Sequence, residues 1–262
     1  MILTDQVGRE VSLPGTPGRI ISLVPSLTEA LCDLKLADQI VGRTRFCLHP
    51  RAMLSHVPVM GGTKKINPEK IRRARPDIIL CNKEENTFKM VGELEKIAPV
   101  HVSDVSTVDD ALELFRHYGD IFKKEEEAEN LIERISNKRS KLLDDNGQKS
   151  KRAAYLIWKE PWMLAGKGTF IDHMMGLCGL HNVIQQQRYP AIDIHEIKAT
   201  APEVVLLSSE PYPFRTRHLH ELKKYFPDSR ILLVDGSYFS WYSGRIADAF
   251  NYFTQIQSVL YR

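Results

Sequence analysis

One stretch limits this chain more than any other. Between Lys124 and Asn146 the residues Ala128, Leu131, Ile132, Ile135, Leu142 and Leu143 fall at i, i+3, i+4, i+7, i+14 and i+15. That spacing is the stripe of an amphipathic helix. Glu125, Glu126 and Glu127 stand in its first turns and Lys138, Arg139 and Lys141 toward its end, matching the signs of the helix dipole. At 1.5 Å per residue such a helix reaches roughly 30 to 35 Å, enough to carry the chain across a small domain. An ordinary crossover helix with a solvated charged face has the same pattern. The position near the middle, and the Asn146-Gly147 breaker followed by a fresh apolar strand, favour a connector.

On both sides of that helix the sequence repeats one scheme. In the first half, Arg19–Val24, Ile40–Arg45, Asp77–Cys81 and Val100–Val105 read as strands. They alternate with helical stretches beginning at Ser26, at Asn67 and at Phe88, and over Thr107–Phe122. Ser26-Leu-Thr-Glu29 has the spacing of a capping box, and Asn67-Pro68-Glu69 that of an N-cap, a proline at the first helical position and an acid at the positive dipole end. In the second half, Ala153–Trp158, Glu203–Ser208 and Arg230–Val234 read as strands among helices over Thr169–Cys178, Asp193–Ala201, His218–Tyr225 and Arg245–Leu260. Strand–helix alternation at this spacing predicts parallel sheets with right-handed crossovers. Glu69 to Leu80 and Glu196 to Leu206 even share an order: acidic helix start, proline, acid, β-branched strand. The predicted architecture is α/β: two Rossmann-like lobes with parallel sheets, joined by one long backbone helix. The expected division is a lobe over 1–122, a connector over 123–147 and a lobe over 148–262, with a ligand cleft at the carboxyl ends of the strands.

Composition narrows the function. A net charge of +3 over 262 residues is too weak to indicate nucleic acid, and no basic cluster is interleaved with aromatics. Cys32, Cys47, Cys81 and Cys178 are widely spaced and read as core residues, with no disulfide framework and no metal motif. The first residues, Met-Ile-Leu-Thr-Asp-Gln, lack the features of a secretory signal, so Met1 as the native start predicts a cytoplasmic protein.

The loops leaving the predicted strands carry the chemistry. Arg45, Phe46 and His49 come from the first half, and Trp158, Trp162, Arg188, Tyr189, Tyr212, Phe214, Trp241, Tyr242 and Arg245 from the second. Aromatic planes beside arginines suit a large, flat or anionic ligand, through stacking and bidentate hydrogen bonds. Any one of these aromatics is equally compatible with ordinary core or rim packing.

At these residues the chain resembles the solute-binding proteins of ABC importers with a helical backbone, the group serving cobalamin, haem and iron siderophores, and most of all its cobalamin-binding branch. The likeness runs from Gly8-Arg-Glu-Val-Ser12 through Arg19 to Glu29, Gly61-Gly-Thr63, Trp158-Lys-Glu-Pro-Trp162 and Ala165 to Asp172. It continues through Arg188-Tyr-Pro190, Ser209-Glu-Pro-Tyr-Pro-Phe214 and Trp241-Tyr-Ser-Gly-Arg245. The resemblance implies a non-enzymatic receptor for a metal chelate, cobalamin or another corrinoid first and haem or a ferric siderophore next, with no covalent cofactor. The ligand contacts it implies are Arg45, Phe46, Trp162, Arg188, Tyr189, Tyr212, Phe214, Trp241 and Arg245. Phe46 stands where cobalamin receptors place a tyrosine, and Met60 lies in a stretch where one such receptor has a tryptophan. Glu69 and Glu196 match the glutamates that dock on an ABC permease, although plain helix-start chemistry accounts for both equally. The resemblance further implies a monomer in the periplasm or at the cell surface.

Two alternatives stay open: an intracellular corrinoid or haem carrier without a permease, and an enzyme on a related scaffold. For the latter, Gly166-Lys-Gly-Thr169 lacks the spacing of a phosphate loop, and His218 and His220, two apart on a helix, point to different faces. Cys47 and His49, flanked by Arg45, are the remaining candidates, as a reactive thiol or as ligands to a cofactor metal, against a buried cysteine in a turn anchored by Pro50.

Overall fold

The computed structural model describes residues 1–145 and 150–261, so the Asn146-Gly147 breaker lies outside the described residues. The chain divides into two compact units. The first comprises Met1–Val105, Asp109–Ile135 and Tyr242–Gly244, and the second Ser106–Val108, Ser136–Trp241 and Arg245–Arg262.

The first unit opens with a hairpin of β1 (Ile2–Thr4) and β2 (Glu10–Ser12), paired antiparallel. There follow β3 (Ile20–Ser22), α1 (Pro25–Asp33), β4 (Ile40–Thr44), α2 (Arg51–Leu54), β5 (Val59–Gly61) and α3 (Pro68–Ala74). Next come β6 (Ile78–Asn82), α4 (Phe88–Leu94), β7 (Val100–Ser103) and α5 (Val108–Phe122). The sheet order is β5-β4-β3-β6-β7, every neighbouring pair parallel. All residues of β3, β6 and β7 are buried, and this is why Ile20-Ile21 and Ile78 to Cys81 read as apolar runs: helices cover both faces of a parallel sheet.

Two details of this unit matter later. The Asp5 carboxylate accepts from the backbone N–H groups of Val7 (3.2 Å), Arg9 (2.9 Å) and Val102 (3.1 Å) and from the Arg9 guanidinium, which also donates to the Val100 carbonyl (2.9 Å). The hairpin is thereby tied to the edge strand β7. On that strand His101 is fully buried and meets Tyr118 of α5 edge to face at 5.4 Å. Neither of its ring nitrogens reaches a hydrogen-bond partner among the described residues.

The helix α6 (Glu125–Asp145) has the predicted stripe: Ala128, Leu131, Ile132, Ile135 and Leu142 are buried. Leu143 is exposed, because the stripe has by then rotated past it. The division between the units falls inside this helix, after Ile135.

The second unit contains β8 (Lys151–Trp158), β9 (Met163–Leu164), α7 (Phe170–Leu177), β10 (Leu180–Asn182) and α8 (Ile194–Ala199). It continues with β11 (Val204–Ser208), α9 (Thr216–Lys223), β12 (Arg230–Val234), α10 (Ser237–Ser240) and α11 (Arg245–Leu260). Its sheet runs β10-β8-β11-β12 in parallel, with β9 antiparallel against β8. Thr169 and Asp193 cap α7 and α8 through side-chain oxygens. Asn182 is buried behind α7, where its amide donates to the Ala165 carbonyl (3.0 Å) and Asp172 Oδ1 (2.9 Å) and its oxygen accepts from Ile184 N (3.0 Å).

The capping box predicted at Ser26 is not formed. Pro25 occupies the first helical turn with its φ already fixed, the N-cap moves back to Val24, and Ser26 becomes a buried helical residue. Glu29 Oε2 instead accepts from Ser243 Oγ (3.2 Å). The cap predicted at Asn67 does form, with Oδ1 accepting from Lys70 N at 3.1 Å.

Candidate functional site

Ligands of open parallel sheets bind beyond the carboxyl ends of the strands. In the first unit the exit of β4 is a tight turn. Arg43 braces it, donating from Nη1 to the carbonyls of Thr44 (3.2 Å) and Cys47 (3.0 Å). This turn leaves Phe46 half exposed with the Arg45 guanidinium 5.3 Å from its ring centroid. A side chain at Gly62 would come within 3.3 Å of both Arg45 and Phe46, so Gly62 leaves those two side chains their room. Met60 lies in the core beneath, among Ile21, Ile79 and Met90. The exit of β6 adds Glu84 and Glu85, whose N–H groups bond Asn82 Oδ1 at 2.9 and 3.3 Å. Sequence reasoning passed over both acids; an Asn ending an apolar strand was the available signal.

Cys47 decides the thiol question. It is 1% exposed, with the hydroxyls of Thr28 and Thr44 at 3.0 and 3.1 Å from its sulfur, and burial pushes its pKa up. A buried, protonated thiol is a poor nucleophile. Cys47 is therefore the anchor of the turn that presents Phe46.

In the second unit the exits of β8 and β11 build an aromatic plate. Trp158 is exposed and meets Tyr212 edge to face at 5.6 Å; Tyr212 meets Phe214 at 4.7 Å; Phe214 stacks parallel to Trp162 at 6.4 Å. Lys159 lies over Trp162 at 5.5 Å while pairing with Glu221 at 2.7 Å. Behind the plate His218 Nδ1 accepts from Arg215 N (2.9 Å), leaving Nε2 toward the Tyr212 hydroxyl (3.4 Å). Burial, with the charges of Arg217 and Lys159, lowers its pKa, so it serves as a neutral prop. Phe214 belongs to the hydrophobic core here, and of the plate only Trp158, Trp162 and Tyr212 retain a partly open surface.

Arg188 and Tyr189 stand half buried on the neighbouring loop, whose backbone pairs with Gly166 and Lys167 (Gly166 N to Arg188 O, 2.7 Å; Arg188 N to Lys167 O, 2.9 Å). Beyond β12, Trp241 ends α10 and the Arg245 guanidinium lies 5.0 Å from its ring centroid and 6.0 Å from that of Tyr238. Tyr242, placed with the loop residues in the sequence, is buried in the first unit instead. Glu69 and Glu196 are exposed in the first turns of α3 and α8, Glu69 paired with Arg72.

No group of His, Cys, Asp and Glu among the described residues could hold a metal ion, and no helix there is long and apolar enough to cross a membrane. What the two surfaces offer is aromatic area flanked by arginine, suited to recognition of a broad ligand with polar edges.

The chain is 24% identical over 196 residues to a vitamin B12-binding protein of Yersinia pestis, covering 72% of this chain and 69% of that one. Its fold is similar to that of the periplasmic vitamin B12-binding protein BtuF of Vibrio cholerae (TM-score 0.78, 20% identity, 94% and 98% of the two chains). It is also similar to the periplasmic haem-binding protein RhuT of Roseiflexus (TM-score 0.80, 17% identity, 90% and 96%). The model of the periplasmic binding protein family matches residues 20–228. A chain whose two units each carry a parallel α/β sheet, and which that family model matches over most of its length, belongs to the periplasmic binding protein family.

Proposed function

We propose that this protein captures a cobalamin-type corrinoid and delivers it to an ABC importer, without catalysis, acting outside the cytoplasmic membrane. The observation that carries the reading is the Trp241–Arg245 pair at the carboxyl end of the second sheet. A corrin is broad, with a partly apolar face and an amide-bearing rim. An indole plane takes the face, and a guanidinium takes rim carbonyls through several donors at once. Arg45 and Phe46 repeat that chemistry on the first unit. Trp162, Tyr212, Arg188 and Tyr189 extend it on the second, with Phe214 as their support. Glu69 and Glu196 are the residues assigned to docking on permease arginines, since both carboxylates are exposed.

Thermal unfolding with cyanocobalamin, cobinamide, haemin and a ferric hydroxamate tests the cargo. A ligand at 100 times its Kd stabilises the native state by about 2.7 kcal/mol, a plain shift in Tm. Cyanocobalamin or cobinamide should produce it, and Trp241→Ala or Tyr189→Ala should remove it. A shift with haemin alone would reassign the cargo, and no shift with any of the four would end the reading.

A further inference from the structure

The Trp241 indole is held from its edge. Its Nε1–H donates to Glu210 Oε1 at 2.5 Å, and Ser240 Oγ lies 3.2 Å from the same oxygen. Glu210 is itself seated by the β11 exit. Tyr155 donates to Ser208 Oγ (3.1 Å), Ser208 donates to the Glu210 carbonyl (2.5 Å), and Gly236 N donates to Ser209 Oγ (3.0 Å). The seat exists because residue 236 has no side chain. A Cβ there would stand 2.2 Å from Ser208 Oγ and 2.8 Å from Glu210 Cγ. Asp235 and Arg245 are the charged groups that face the carboxylate, and burial raises its pKa.

An indole free to rotate about χ1 and χ2 loses that freedom when a ligand stacks on it, and the loss subtracts from affinity. One clamped beforehand loses nothing, and a carboxylate acceptor makes the clamp a charge-assisted bond. We infer that Glu210 is the positioning residue of the ligand platform: it locks the Trp241 ring so that Arg245 stacks on the ring while an incoming flat ligand meets a fixed surface. This assignment rests on the corrinoid reading for its ligand, but the clamp itself is a property of the free protein.

The test therefore has two arms. In the first, the indole N–H resonances of the 15N-labelled ligand-free protein are recorded for the native chain, Glu210→Gln, Glu210→Ala and, for assignment, Trp241→Phe. Glu210→Ala should displace the Trp241 signal toward that of a solvent-exposed indole, and Glu210→Gln, which retains an acceptor oxygen, should leave it hydrogen-bonded. In the second arm, cyanocobalamin affinity should fall by about tenfold or more in Glu210→Ala and by about threefold or less in Glu210→Gln, a split that a purely structural role would not produce. An unmoved indole signal in Glu210→Ala overturns the inference, as does unchanged affinity or equal loss in both variants. If native protein binds no cyanocobalamin, the cargo reading fails alone, and the indole signal decides the clamp. Should Glu210→Ala not fold, loss of the hydrogen-bonded Trp241 signal in Gly236→Ala, whose Cβ displaces the Glu210 seat, supports the clamp and its retention overturns it.

Discussion

Replacing His101 by leucine should flatten the acid limb of this protein's stability curve. His101 is fully buried in β7 against Tyr118, with Asp5, Arg9 and His117 as its charged and titratable neighbours. Burial lowers its pKa from 6.5 to about 4, opposed by Asp5 and assisted by the like charges of His117 and Arg9. The folded protein therefore keeps the ring neutral while the unfolded chain protonates it, so the native state loses stability as pH falls below 6.5. The loss grows by at most about 1.4 kcal/mol per pH unit and stops growing below pH 4. At pH 5 it amounts to about 2 kcal/mol, and at pH 4 and below it approaches about 3 kcal/mol. Other groups titrate over the same range, so the quantity to measure is the difference between native and His101→Leu protein in urea unfolding at pH 7.5, 6, 5 and 4. Most of their contributions cancel in that difference. Leucine also removes two ring nitrogens that lack partners among the described residues, so the variant should be no less stable at pH 7.5 despite the change of shape. A difference between the two proteins that stays constant from pH 7.5 to 4 would refute the argument and show that the ring finds a proton acceptor in the folded state.

Four further outcomes follow from the same structure. Asp5→Ala strips the bonds that Arg9 and the Val102 N–H make to a carboxylate whose side chain has no exposed surface, and should cost about 3–5 kcal/mol in chemical unfolding. Asn182→Ala leaves Ile184 N–H and the Ala165 carbonyl without that partner and should cost about 2–3 kcal/mol by the same measure. A thiol reagent added at pH 8 should modify none of the four cysteines until the protein unfolds: all are buried, and burial pushes Cys32 and Cys81 up to about 12. Phe46→Ala should lower cyanocobalamin affinity while changing stability by less than about 0.5 kcal/mol, because the ring is already half exposed.

The sheets were legible because a parallel strand buried on both faces leaves an unbroken apolar run, as in Ile78 to Cys81 and Val204 to Leu207. The two- to four-residue elements β5, β9, β10 and α10 were not, since each is too short to express a period. At Ser26 two local rules competed, and proline's fixed φ overrode the capping spacing. The platform divides in the same way. Arg45 with Phe46 and Trp241 with Arg245 are close in sequence, so their pairing could be anticipated. Glu210 could not: it sits 31 residues before Trp241, inside a segment whose aromatics drew the attention, and only the fold brings its carboxylate to the indole. Phe214 illustrates the converse, since an aromatic after a strand reads alike whether it faces ligand or core.

The amino-terminal hairpin has a consequence for how these molecules behave in a crowd. β7 is the last strand of its sheet, and such an edge ordinarily offers unpaired amides and carbonyls to any passing strand. Here Asp5 takes the Val102 N–H and Arg9 takes the Val100 carbonyl, so a carboxylate and a guanidinium stand in for the missing neighbour. Charged side chains satisfy the edge yet cannot propagate a ladder. Trimming the first dozen residues would uncover a strand ready to pair with its own copy, and self-association at the sheet edge would be the expected cost of that small deletion.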